Sequence, residues 1–422
     1  MNISIISLII MALVIILFLI DKLPSATVAL LGLTAMLALK VCTASEALSG
    51  FASDIFLLLL GMLVIGLALF NSGAAAFLGN IAVKLSHDNE RRFILISCVI
   101  SAVMSAFLSN TAVIAMMMAI CQAASTASKK IKYRNLVIPN AIAAIAGGHC
   151  TLVGSTTQLT AMGLLEAASG ESFGMWDLGY VGLPITVFLI IYMTFVGQKH
   201  GEKIWGNRPE ETFTDLKFDI SDAKLSKKGI TALSIFGFVI ILFVTGWVST
   251  GVAAITGALL CIITGTISQK EVFKQLDWNC IIWLCSCLGL GKALQVSGGS
   301  ALIGNVLLKS FENGASPMVF FAMMVFVSML MSQFMSNMAC LLIIMPPTLN
   351  LVISLGMSPY VFAYGMCLGA ALTFLTPLAN GHIGMTISAG YKFSDYLRYS
   401  FIPTVITYIM IVFLTPVFFP LT

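Results

Sequence analysis

Of 422 residues, 59% are hydrophobic and 9% charged, and the formal net charge is +4. Soluble domains carry about 25% charged residues, so a polytopic membrane protein is expected. The basic residues form no stripe interleaved with aromatics, which excludes a nucleic-acid partner, and ten cysteines without CxxC or metal-ligand spacing exclude a disulfide framework.

Apolar runs long enough to span the hydrocarbon core fall at 2–20, 24–42 and 54–72. The first has no basic n-region and exceeds a signal h-region, so it is expected to remain as a spanning helix. A pair of shorter apolar arms follows at 92–127, then an interrupted run at 135–166 and a continuous one at 178–198. Residues 199–228, rich in Lys, Glu and Asp and containing Pro209, read as a cytoplasmic linker. The order then repeats: runs at 229–247, 249–268 and 278–296, arms at 316–356, an interrupted run at 359–390 and a last run at 398–420. The predicted fold is an all-α membrane protein with about ten transmembrane helices, two re-entrant hairpins and two broken helices. Its units are a first repeat at 1–198, the linker, and a second repeat at 229–422. Length alone also allows each hairpin to be two short spanning helices; the chain returns to the side it left in either case.

The repeat is visible in residues. Met104-Ser105-Ala106-Phe107-Leu108-Ser109-Asn110-Thr111-Ala112 recurs as Met331-Ser332-Gln333-Phe334-Met335-Ser336-Asn337-Met338-Ala339, identical at six of nine positions. Upstream, Gly66, Leu69, Ser72, Gly73, Ala76, Gly79 and Asn80 are echoed by Gly291, Leu294, Ser297, Gly298, Ala301, Gly304 and Asn305. Five spans per half is an odd number, so the second half is expected to insert upside down. With both termini outside the cell membrane, 19 of the 22 Lys and Arg residues fall on the cytoplasmic side, leaving Lys40, Lys292 and Lys309 outside.

Inverted repeats with interrupted helices mark secondary transporters, with the substrate site where the repeats meet. Gly147-Gly148-His149-Cys150-Thr151 leading into Gly154-Ser155-Thr156-Thr157-Gln158 interrupts one run, and Leu375-Thr376-Pro377-Leu378-Ala379-Asn380-Gly381 the other. A broken helix exposes carbonyls on one side and N–H groups on the other; the first, with Ser, Thr and Asn oxygens, suit a hard cation such as Na⁺, and the second suit an anion. Ser105 and Ser109, and again Ser332 and Ser336, are spaced one helical turn apart and are expected on one face leading to each tip. Asp54, Asp177, Asp277 and Asp395 fall at span ends, and His149 and His382 are the only ionisable residues near the breaks. Either histidine reads as a hydrogen-bonded structural group or as a proton carrier. An intramembrane hydrolase would have only Ser155 near His149 to work with, and a channel would not explain paired hairpins.

At Ser109-Asn110-Thr111, Ser336-Asn337, Gly154-Ser155 and Thr376-Pro377, and again at Gly390-Tyr391-Lys392-Phe393-Ser394-Asp395-Tyr396, the chain resembles the divalent anion:sodium symporters of the ion-transporter superfamily. The resemblance covers nearly the whole chain. It implies a homodimer in the lipid bilayer, with a mobile transport domain moving as an elevator against a fixed scaffold. It implies Na⁺-coupled uptake of a small divalent anion, a C4 dicarboxylate first and sulfate next; anion exchange and proton-coupled antiport are the alternatives within the superfamily. By position, Asn110, Thr111, Ser155, Ser336, Asn337, Thr376 and Pro377 resemble substrate contacts. Ser105, Ser109, Asn110 and Gly154 resemble one Na⁺ site, and Ser332, Asn337 and Thr376 a second. Three departures bear on substrate choice: Met338 replaces a second Thr, Gly-Ser-Thr-Thr-Gln stands where Gly-Thr-Pro-Pro-Asn is common, and the second loop keeps only Pro377.

Overall fold

The computed structural model describes residues 3–20, 23–73, 77, 85, 89–127, 130–206, 208, 226–299, 302, 316–333, 335–376 and 381–421. Those residues are helical throughout, joined by turns, with no strand among them. In chain order the helices are α1 (Ile3–Ile20), α2 (Ser25–Ala38), α3 (Ala44–Ala47), α4 (Asp54–Asn71), α5 (Glu90–Ser105), α6 (Asn110–Ala127), α7 (Tyr133–Gly148), α8 (Thr156–Ser169) and α9 (Gly179–Trp205). They continue as α10 (Lys227–Thr245), α11 (Thr250–Ile263), α12 (Gln269–Gln275), α13 (Trp278–Val296), α14 (Pro317–Met331), α15 (Asn337–Ser354), α16 (Pro359–Ala371), α17 (Gly381–Gly384) and α18 (Phe393–Phe418).

Six described helices are apolar and long enough to cross a bilayer by length: α4, α9, α10, α13, α15 and α18. Their outer faces carry large side chains that suit lipid and not water, among them Leu183, Phe195, Ile241, Val244, Phe401 and Phe413. The second run of each half departs from a full span. α2 and α11 have 14 residues each, about 21 Å of helix against a hydrocarbon core of about 30 Å. Left-handed backbone ends both turns of chain that follow them, at Lys40 (φ 54°) and Gly265 (φ 68°). The chain then restarts in a short helix closed by a capping box, Thr43 with Glu46 before α3 and Ser268 with Glu271 before α12. Gly73 and Gly298, after α4 and α13, form another positive-φ pair.

The two halves clasp each other. α4 packs on α11 and α2 packs on α13. Asp54, at the start of α4, accepts from Ser249 Oγ (2.5 Å) and from the Gly251 N–H (2.8 Å) at the start of α11. Asn279, near the start of α13, accepts from the Ala26 N–H at the start of α2 (3.3 Å). Each half thus caps a helix of the other and satisfies N–H groups that helix geometry leaves open.

Around α1, α2, α4, α10, α11 and α13 this makes one bundle. A second contains both hairpins, α5–α6 and α14–α15, packed on the broken helices α7/α8 and α16/α17, with α9 and α18 alongside. The base of the first hairpin is fixed by buried Glu90, which accepts from the Lys132 N–H (2.9 Å), Asn135 Nδ2 (3.0 Å) and Gln198 Nε2 (2.7 Å). Helix α9 passes through a π-helical stretch at Met193–Gly197 and continues to Trp205, so the first part of the expected linker is helix; Trp205 is buried and donates to Asn135 Oδ1 (2.8 Å). Residues 209–225 of that linker lie outside the described residues. The second broken helix is unequal: after its break the chain makes only α17 and a 3₁₀ turn, Met385–Ala389, whereas α8 has 14 residues.

Candidate functional site

Each hairpin turns at its polar motif. α5 stops at Ser105 and α6 starts at Asn110; α14 stops at Met331 and α15 starts at Asn337. The expectation that the paired serines share one helical face is corrected here, because the chain leaves the helix between them. Ser105 and Ser332 end the incoming arms and are fully buried, whereas Ser109 and Ser336 sit in the turn and are exposed to the cavity described below. Ser336 caps its arm, accepting from the Ala339 N–H at 3.2 Å.

The buried serines orient the asparagines. Ser105 Oγ donates to Asn110 Oδ1 (2.5 Å), and Ser332 Oγ lies 2.7 Å from both Asn337 Oδ1 and the Ala370 carbonyl oxygen. With its oxygen engaged behind the tip, the Asn110 amide has its N–H groups left as donors. The broken helix closes on the same point. A Cβ on Gly148 would lie 2.4 Å from Asn110 Oδ1, and one on Gly154 would lie 2.2 Å from the Gly148 carbonyl oxygen and 2.7 Å from that of Ser105. Only glycine admits this approach. It gathers the carbonyls of Ser105 and Gly148 with Asn110 Oδ1 and Ser105 Oγ, an all-oxygen group of the kind hard cations take.

Thr376 is buried, and its hydroxyl donates to the Gln333 carbonyl at the second tip (2.6 Å). Its counterpart in the first half is Thr151, whose hydroxyl donates to the Ala106 carbonyl at the first tip. Sequence reasoning paired Thr376 with Ser155 and passed over Thr151. Thr151 precedes Thr376 by the same offset as Gly73 precedes Gly298, so the echo in α4 and α13 held the signal. Gln158, in the unusual first loop, donates to the carbonyls of Gly148 (2.7 Å) and Thr151 (3.3 Å), closing the break. Pro377 and Asn380 lie outside the described residues.

Between the two bundles lies a cavity of about 790 Å³. Ser109, Asn110, Thr111, Gly154, Ser155, Ser336 and Asn337 line it, together with Met338. Opposite them stand apolar side chains of α4, and Asp277, Asn279 and Trp283 around the start of α13. Ser105, Ser332 and Thr376 lie behind the wall. His382, on α17, also lines the cavity, with its Nδ1 2.7 Å from Thr111 Oγ1. His149 is buried outside it, its Nδ1 donating to the Ile145 carbonyl (2.5 Å), and Ser155 pairs with Thr157; the two form no nucleophile–base pair. Among the described residues no group of three His, Cys, Asp or Glu could hold a metal ion, and the cysteines are free.

A transporter from Haemophilus influenzae, described as uncharacterized, is 24% identical over 95% of this chain and 89% of its own. The sodium-dependent dicarboxylate transporter SdcS of Staphylococcus saprophyticus is 23% identical over 85% of this chain and 75% of its own. An uncharacterized transporter of Synechocystis is 28% identical over 42% of this chain, a match spanning 29% of that longer protein. In fold, the chain is similar to the Alcanivorax borkumensis YdaH transporter, with a TM-score of 0.66 at 11% identity over 99% of this chain and 98% of the other. MtrF of Neisseria gonorrhoeae gives a TM-score of 0.61 at 14% identity over 93% and 85%. The citrate transporter family model, CitMHS, matches residues 15–346. A multi-pass helical protein with two polar hairpin tips on one internal cavity, matched by that model over most of its length, this chain is a membrane transporter and belongs to the citrate transporter family.

Proposed function

We propose that this chain couples inward movement of Na⁺ to uptake of a small divalent anion, a C4 dicarboxylate first and sulfate next. The observation that carries the reading is the convergence of the two Ser–Asn tips on one cavity whose polar lining is almost wholly uncharged. An anion held there takes N–H and O–H groups from Asn110, Thr111, Ser155, Ser336 and Asn337, and its charge is balanced by cations bound behind the tips. The oxygens of Ser105, Asn110 and Gly148 near Gly154, with Ser109, supply the first Na⁺ site; Ser332, Asn337 and Thr376 supply the second. The likeness to a sodium-dependent dicarboxylate transporter supports both cargoes.

The repeats, 1–198 and 229–422, insert in opposite senses with both termini outside and 199–228 in the cytoplasm. The reciprocal capping of α2 and α11 supports this pairing. A homodimer holding the α1, α2, α4, α10, α11 and α13 bundle fixed, with the hairpin bundle moving as an elevator, fits a cavity lying between the two. Uptake of labelled succinate and sulfate into proteoliposomes, with and without an inward Na⁺ gradient, tests the reading. Gradient-dependent succinate entry is expected, and entry indifferent to Na⁺ would replace symport by exchange.

A further inference from the structure

Among the described residues lining the cavity, the ionisable side chains are Asp277, Cys280 and His382. His382 is the basic one. It stands just past the second break, yet its Nδ1 meets Thr111 Oγ1 at the tip of the first hairpin, 2.7 Å away. The contact therefore joins the two halves at the place where an anion is proposed to sit.

A threonine hydroxyl has a single proton. If Thr111 gives it to Nδ1, the hydroxyl turns lone pairs toward the cavity and opposes an anion. If Nδ1 carries hydrogen, Thr111 accepts from it, and its own proton is free for the anion. An imidazolium has N–H on both ring nitrogens, so it enforces the second arrangement and adds a positive charge beside the ligand. We infer that His382 and Thr111 form a proton-controlled anion clamp, in which His382 takes a proton from solution as a dianionic carboxylate binds and returns it on release, while Thr111 donates its hydroxyl to that carboxylate. This rests on the reading of the cavity as a site for a small dianion.

Of the two neighbouring imidazoles, His382 is the one that lines the cavity against Thr111, whereas His149, whose buried Nε2 has no hydrogen-bond partner among the described residues and whose charge would oppose that of His382, lies outside it. α17 packs on α6, α7 and the Met385–Ala389 turn. α6 offers only Cys121, far along the helix, and Met385–Ala389 nothing ionisable. α7 carries Tyr133 and Arg134 at its distant end, and His149 closes its near end with Nδ1 held by the Ile145 carbonyl. Across the cavity, Asp277 caps α13, accepting from the Cys280 N–H at 3.0 Å.

The test is uptake of labelled fumarate by wild-type proteoliposomes at saturating Na⁺. Fumarate remains a dianion from about pH 8 to about pH 6, so the pH dependence belongs to the protein. KM is expected to fall about tenfold over that range, the scale of one charge-assisted contact. His382→Gln should hold KM flat at its high-pH value, Thr111→Val should raise KM at every pH and leave only the part of the slope that the imidazolium charge carries, and Thr111→Ser should keep the full slope. In a lightly buffered detergent solution, fumarate binding should take up protons, a readout that needs no variant to fold. A flat wild-type KM, a slope surviving in His382→Gln, or binding without proton uptake overturns the clamp; the first is also what a neutral Nδ1–H tautomer would give. Absence of uptake of any dicarboxylate or sulfate at every pH would instead remove the functional reading, and the clamp with it.

Discussion

Asn110 and Asn337 are each met by a serine five residues earlier, and that pairing decides what each amide shows to the cavity. Asn110→Ala and Asn337→Ala are expected to abolish transport while leaving the purified protein folded, as size-exclusion profiles would report. Ser105→Ala and Ser332→Ala lie behind the tips, so they should act mainly by raising the Na⁺ concentration needed for half-maximal uptake. Normal Na⁺ dependence in both would remove these cation sites. Met338 faces the cavity where the first tip presents Thr111. Its thioether donates no hydrogen bond, and one lost to a charged group costs about 1.5–3 kcal/mol. Met338→Thr should therefore tighten succinate binding by roughly tenfold, measured as KM or by competition. Unchanged or weaker binding would mean that the substrate does not reach the second tip.

At the scale of elements, the spans, the hairpin arms and both breaks were legible because each is a contrast between apolar runs and small polar residues. The inner wall of the site was not. Whether Ser105 and Ser109 share a face depends on where α5 ends, and four residues of turn between two helices look like helix in an apolar sequence. The lengths of α2 and α11 were equally hidden, since single apolar residues beyond the turns, Val41 and Ile267, carry each run past Lys40 and Gly265, where the backbone leaves the helix. The capping boxes that follow give a pH signature. Hydrogen bonds from Thr43 and from Ser268 hold the Glu46 and Glu271 carboxyls below their ordinary range. A depressed folded-state value means that the contribution is present above the unfolded value and lost as pH falls through the folded one. A Glu46→Ala/Glu271→Ala variant should thus melt below wild type at neutral pH, with the difference closing under about pH 4. A difference constant down to acid pH would assign the loss to packing and not to the caps.

At the scale of the whole molecule, what joins the halves is an exchange of caps, and this makes their relation testable without any ligand. Asp54 satisfies the start of α11 through three groups, Ser249, Thr250 and Gly251, whereas Asn279 makes one longer bond to the start of α2. Losing an N-terminal cap costs about 1 kcal/mol, so Asp54→Ala should lower the melting temperature clearly and Asn279→Ala less. If α2 and α11 are counterparts of opposite sense, α4 and α13 cross the bilayer in opposite directions, and every loop of the second half faces the side opposite to its partner in the first. The basic residues are distributed as that rule would require: 129–134 carries four Lys and Arg residues and its second-half counterpart 354–359 none, whereas the segment around Glu171 carries none and its counterpart 392–398 two. In a background with the native cysteines replaced, a cysteine at Lys130 should react with an impermeant maleimide only from the cytoplasm. One at Glu171, which is exposed, should react only from outside. Labelling of both from one side would place α7 and α8 as a hairpin instead of a broken span, and the inverted repeat, with the two-tip site built on it, would fall.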